Sequence, residues 1–120
     1  MPSPYSKSAH LALTEIAENI TLARNFIGAT DADAFARDMR TVYAVTRCLE
    51  IISEAVRRLP ADVVSRHPHV PWDKIRAAGN IYRHEYDNVS PRILWTTVKT
   101  ALDDLERAVG VELDTAERPQ

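Results

Sequence analysis

Residues 72–86 read WDKIRAAGNIYRHEY, the one stretch in which Arg, Asn, His, Glu and Tyr crowd onto a single predicted helix. Trp72, Ile75, Gly79, Tyr82 and Tyr86 recur at spacings of three and four, so they share one face. At about 100° per residue, Arg76, Asn80, Arg83 and Asp87 line a neighbouring stripe, with His84 at its edge. One side of this helix is built to bury while the other presents a base and two cations. Pro71 stands at a favourable position to start the helix, and Asp73 complements the positive end of the helix dipole.

The segments on either side read as apolar helices that hold this one. Val42, Val45, Leu49, Ile52, Val56 and Leu59 alternate steps of three and four, a seam long enough to pack along another helix at a shallow angle. Ala44, Cys48, Ile51 and Ala55 form a second apolar flank. A helix apolar on two flanks touches two neighbours, or one neighbour and a second subunit. The seam covers too few heptads for a coiled coil, so a bundle is the expectation. Pro60 ends the helix. Upstream, Leu13, Ile16, Ile20, Ala23 and Ile27 make one stripe, with Ser6 or Ser8 as the cap and Gly28 as the stop. A short helix over residues 31–38 follows, with Thr30 and Asp33 in a capping arrangement. Downstream, DNVSP is a turn, and Ser90 and Pro91 open a last helix with Leu94, Val98, Ala101, Leu105 and Ala108 on its apolar side. Gly110 is its expected end. The sequence therefore predicts an all-α fold: an antiparallel up-and-down bundle of four to five main helices. It forms a single domain over residues 1–120, with loose tails at 1–6 and 111–120.

Composition narrows the function. The chain has 120 residues, enough for one core. A net charge of −2 argues against coating nucleic acid through bulk charge but allows a local basic groove. Cys48 is the only cysteine, which excludes an intramolecular disulfide, favours a buried small hydrophobe over a nucleophile and makes a cytoplasmic setting the expectation. No apolar run reaches the roughly 18 residues of a membrane span, and no signal-peptide pattern opens the chain. His67 and His69 lie in a Pro-rich loop, HPHVP. Their spacing without Cys or an HExxH helix points to surface or packing roles rather than a metal site. Trp72 and Trp95 read as core or interface anchors, and Tyr82 and Tyr86 as core packing with an exposed hydroxyl.

The order of elements resembles the HepT-like branch of the HEPN family. So do the run VPWDKI at residues 70–75, the N-x-x-x-H-x-Y of Asn80, His84 and Tyr86, the polar turn and the closing helix. The resemblance spans about residues 8–109, and its specific part is residues 71–86. It implies a small helical protein that dimerises and acts as a metal-independent endoribonuclease toxin without a cofactor. It also implies a minimal nucleotidyltransferase partner that neutralises the toxin, in some pairs by attaching AMP to the Tyr of H-x-Y, here Tyr86. The chain departs from the family where an Arg precedes the His by four to six residues: those positions hold Gly79, Ala78 and Ala77. Arg76 and Arg83 are the nearby arginines. Arg76 lies about 12 Å of helical rise from His84, whereas Arg83 adjoins it, so Arg83 is the favoured replacement and is expected to be exposed. The site expected from the resemblance is His84 as acid or base, Arg83 and Arg76 as phosphate ligands, and Asn80 to orient the imidazole or a phosphate oxygen. The contrasting expectation is a HEPN module that has lost cleavage and only docks a nucleotidyltransferase or another protein.

Overall fold

The computed structural model describes residues 7–84 and 89–117, and these form a helical bundle. Its elements are α1 (Lys7–Ile27), α2 (Ala32–Arg37), α3 (Met39–Arg57), α4 (Ala61–Ser65), α5 (Trp72–His84), α6 (Pro91–Thr96), a π turn (Thr97–Ala101) and α7 (Asp103–Glu117). No strand occurs among the described residues.

The apolar stripes find each other as their spacing dictates. Leu13, Ile16, Ile20, Ala23 and Ile27 of α1 are buried against Val45, Leu49, Ile52 and Val56 of α3. Leu94, Val98, Leu105 and Ala108 close the core from the C-terminal side. α3 also packs against α5, which it meets through Ser53, Glu54 and Arg57, so α3 has two neighbours inside the chain. Cys48 on the second flank is buried, and burial pushes its thiol pKa up, away from the reactive thiolate.

Local chemistry sets most boundaries. Gly28 has φ +56° and ends α1 in the left-handed region that a side chain disfavours. Asp31, not Thr30, caps α2, its carboxylate accepting from the Ala34 amide at 2.8 Å. Asp38 caps α3 through the Thr41 amide and hydroxyl, and the hydroxyl bond holds its pKa below the ordinary carboxylate value.

Two features depart from the expected last helix. A π turn interrupts it, with the Leu102 amide bonded to the Thr97 carbonyl at 3.1 Å. Leu102 is buried and Ala101 exposed, the reverse of the stripe read from the sequence. Leu94, Val98 and Leu102 step by four twice, which in an α-helix drifts about 80°; the wider turn absorbs that drift and keeps the larger side chain inside. Gly110 does not end the helix. It is exposed, a Cβ there would meet nothing within 4 Å, and α7 runs on to Glu117.

Beside its apolar face and the ion pairs of Arg24 with Asp103 and Glu106, α7 is held by a buried carboxylate. Glu112 receives two bonds from Arg66, at 2.7 and 3.1 Å, and lies 2.7 Å from His67 Nε2. The Arg66 bond, more than His67, holds the Glu112 pKa below the ordinary value of 4.5. The His67 carbonyl in turn accepts the indole N–H of Trp72 at 2.9 Å, so one loop ties α7 to the start of α5. His67 is thus a packing residue, as the loop reading expects, with the exposed His69 edge-on at 6.2 Å. Among the described residues no group of three or more His, Cys, Asp or Glu is placed to hold a metal ion, and no helix is long and apolar enough to cross a membrane.

Candidate functional site at the seam of two helices

The bottom of the site is a close helix crossing. Trp72 and Gly79 of α5 are buried and Ile75 and Tyr82 partly so, which is the apolar face expected from spacing. A Cβ built on Gly79 would stand 2.8 Å from Ser53 Cβ. Ser53 itself is buried and donates to the Ile75 carbonyl at 2.7 Å. The absence of a side chain at 79 is therefore what lets α5 lie this close to α3. An Arg at that position, one of those where the resemblance leads one to expect it, would drive the helices apart.

The polar stripe of α5 comes to lie along this seam. Asn80 is exposed, Arg76 and Arg83 are half-buried, and His84 is exposed at the helix end. Arg83 forms an ion pair through Nη1 with Glu54 of α3 and donates from Nη2 to Asn80 Oδ1 at 3.0 Å. The Arg83 hydrogen bond in turn holds the Glu54 pKa below the ordinary glutamate value. This corrects the expectation that Arg83 stands exposed: its side chain is 31% exposed because α3 supplies a carboxylate opposite it. Arg76 pairs instead with Asp73, at 3.0 Å on its own helix. No hydrogen bond joins Asn80 to His84 among the described residues. The Asn80 oxygen is turned to guanidinium groups, accepting from Arg83 and, at 3.4 Å, from Arg57 Nη2 of α3. Arg57 Nη2 also donates to the Arg76 carbonyl at 2.9 Å. Glu54 meets Arg83 while Arg57 reaches Arg76 and Asn80, so the two helices run in opposite directions.

Glu54 and Arg57 were missed by reading the sequence. They stand three apart on the polar side of α3, and only the antiparallel register of α3 on α5 shows that they reach Arg83 and Asn80. Tyr86, the expected modification position, lies outside the described residues, as does Asp87. Beside Arg83 a cavity of about 590 Å³ is lined by Val42, Tyr43, Arg47, Tyr82, Val89 and Leu94, among others. Glu50 also lines it, and the two arginines at its edge are paired, Arg47 with Glu50 and Arg83 with Glu54. Burial pushes the Tyr82 phenol pKa up, so this hydroxyl stays protonated near neutrality.

An exposed His84 closing a helix whose polar stripe carries Arg76, Asn80 and Arg83, on a small all-helical bundle, fits the HEPN class that the sequence resembles. The sequence model of the family described as ribonuclease HepT-like matches residues 16–111, and the chain belongs to that family. It is 37% identical over 94 residues to a probable ribonuclease HepT of Thermococcus cleftensis, covering 78% of this chain and 86% of the relative. It is 31% identical over 83 residues to an RNase candidate of Methanocaldococcus jannaschii, covering 69% and 72%. A further RNase candidate, of Caldanaerobacter subterraneus subsp. tengcongensis, is 39% identical over 75 residues, covering 62% and 67%. No solved structure matches the chain at a comparable level of significance.

Proposed function

We propose that this chain is the toxin of a toxin–antitoxin pair, an endoribonuclease that cuts RNA through its own 2′-hydroxyl. The observation that supports this reading is the exposed His84 beside the Asn80–Arg83 pair, in a member of the ribonuclease HepT-like family. In this reading His84 takes the 2′-hydroxyl proton, and that oxygen attacks the adjacent phosphorus. The P–O5′ bond breaks, and a protonated imidazole returns a proton to the leaving oxygen. The products are a 2′,3′-cyclic phosphate and a 5′-hydroxyl. A symmetric homodimer would supply base and acid as two copies of His84. Arg83 carries the phosphorane charge, with Arg76 at the far end of the stripe. Metal independence comes with the family resemblance. The homodimer rests on that resemblance and on exposed apolar side chains near the seam, Met39, Tyr43 and Ile81.

Incubating the purified protein with RNA in EDTA tests the reading. Cleavage that falls by about 10²–10⁴ in His84→Ala is the expected result, the usual worth of a general acid or base. An inert wild-type protein that still binds a nucleotidyltransferase would instead support a docking module. That second reading is favoured by one observation, the packing that bars an Arg from position 79.

The proposed antitoxin is a minimal nucleotidyltransferase that adds AMP at Tyr86. The added phosphate would repel RNA phosphates beside the groove. Co-expression followed by intact-mass measurement should show increments of AMP that vanish in Tyr86→Phe. Neutralisation of an unmodified protein would refute control by modification.

A further inference from the structure

We infer that Arg57 of α3 is a phosphate-binding residue of this site, and that Asn80 holds it beside Arg83 as a two-helix clamp for one RNA phosphate. The inference rests on the RNA reading above and adds a ligand from a second helix. Three observations carry it. Asn80 Oδ1 accepts from Nη2 of both Arg83 and Arg57, which sets two guanidinium groups from α5 and α3 next to each other despite their like charge. Like charges are not brought together on a protein surface without something to hold them; the amide oxygen supplies the shared contact, and the Glu54 carboxylate, which feels both Arg83 and Arg57, offsets part of their repulsion. Next, the charges of the three seam arginines are not equally available. Arg83 is ion-paired with Glu54 and Arg76 with Asp73, while Arg57 has no carboxylate within ion-pair distance among the described residues. Finally, both Arg57 contacts use Nη2, so among the described residues the three N–H groups on Nε and Nη1 remain for an incoming anion. Arg57 is exposed, so a phosphate reaches it without rearrangement.

The geometry also accounts for what position 79 lacks. An Arg cannot stand at 79 on this backbone, but a guanidinium from α3 enters the same seam one helical step away, at Asn80.

The test is binding of a fluorescein-labelled, mixed-sequence single-stranded RNA by full-length His84→Ala protein, across a series of salt concentrations. Adding Arg57→Gln removes the charge while leaving a polar side chain on α3. It should weaken binding about tenfold and flatten the slope of log affinity against log salt by about 0.7, the value of one lost phosphate contact on a single strand. Arg57→Lys should recover the slope but only part of the affinity, since an ammonium cannot both keep Asn80 and fork onto a phosphate. Arg58→Ala removes the same charge from the neighbouring residue, which is paired with Glu15, and should leave the slope unchanged. Equal effects of Arg57→Gln and Arg58→Ala would mean bulk charge and overturn the clamp, as would an unchanged slope in a folded Arg57→Gln protein. RNA cleavage by wild type with Arg57-independent binding sinks this inference alone. Arg57-dependent binding without any cleavage by wild type sinks the nuclease reading alone. No RNA binding by wild type or His84→Ala sinks both.

Discussion

Restoring the family's Arg should damage this protein rather than improve it, and the size of the damage can be worked from the contact between α3 and α5. A Cβ at position 79 would stand 2.8 Å from Ser53 Cβ, against 3.4–4 Å for ordinary contact. Ser53 Cβ is fixed to the α3 backbone and cannot swing away, so the helices must part by several tenths of an ångström. Overpacking of this kind costs about 1–3 kcal/mol. For Gly79→Ala, a gain of about 1 kcal/mol in helix propensity opposes it, leaving a net loss of about 0–2 kcal/mol. Gly79→Arg has the same clash, a longer chain to place at the seam and a weaker propensity gain, so about 3 kcal/mol or more is expected, with no gain in RNA cleavage.

Urea unfolding at one fixed protein concentration measures both variants, the fixed concentration removing any contribution from self-association. The decisive arm is a double-mutant cycle with Ser53→Gly, which removes the atom the new Cβ would strike. Gly79→Ala should be better tolerated in that background by about 1–2 kcal/mol. If Gly79→Ala instead stabilises the wild-type background by the full propensity gain, or the cycle shows no coupling, the close crossing is not what excludes a side chain at 79.

Two further outcomes follow from the ion pairs. Glu112 has its pKa lowered in the folded protein, chiefly by Arg66, so its contribution is present above the ordinary value of 4.5 and is lost as pH falls through the lower folded value. Glu112→Gln should therefore cost about 1–3 kcal/mol at pH 7, and the gap to wild type should narrow below about pH 4.5; a gap constant with pH would refute the assignment. Arg83→Ala should cost only about 0.5–1 kcal/mol of stability, because Arg83 and Glu54 are both partly solvated, yet reduce RNA cleavage by about 100-fold or more. A larger loss of cleavage in an equally folded Arg76→Ala would mean that Arg76 is the replacement cation.

The elements visible in the sequence were those governed by nearby residues. The stripes of α1 and α3 declare themselves through their period, and Pro71 and Asp73 mark where α5 begins. What escaped depends on residues far apart in the chain. Gly110 looks like a stop, and α7 passes through it because Glu112, two residues on, is captured by Arg66 and His67 from a distant loop. Ala101 keeps the period and Leu102 breaks it, yet Leu102 is the one buried, since the π turn trades local regularity for the larger apolar side chain. The stripe of Arg76, Asn80 and Arg83 was legible as a pattern, but its carboxylate and its third arginine lie on another helix.

A missing motif Arg on one helix reads, in sequence, as a loss. In three dimensions the same substitution lets α3 lie against α5, since a Cβ at position 79 would stand only 2.8 Å from Ser53 Cβ. That approach is also what puts Glu54 opposite Arg83 and Arg57 within reach of Asn80. Moving the helices apart to admit an Arg at 79 would stretch each of those contacts at once. The glycine and the cross-helix arginines are therefore one arrangement, and changes to either should be coupled: Gly79→Ala should weaken the Arg57–Asn80 contact as well as the packing beneath it.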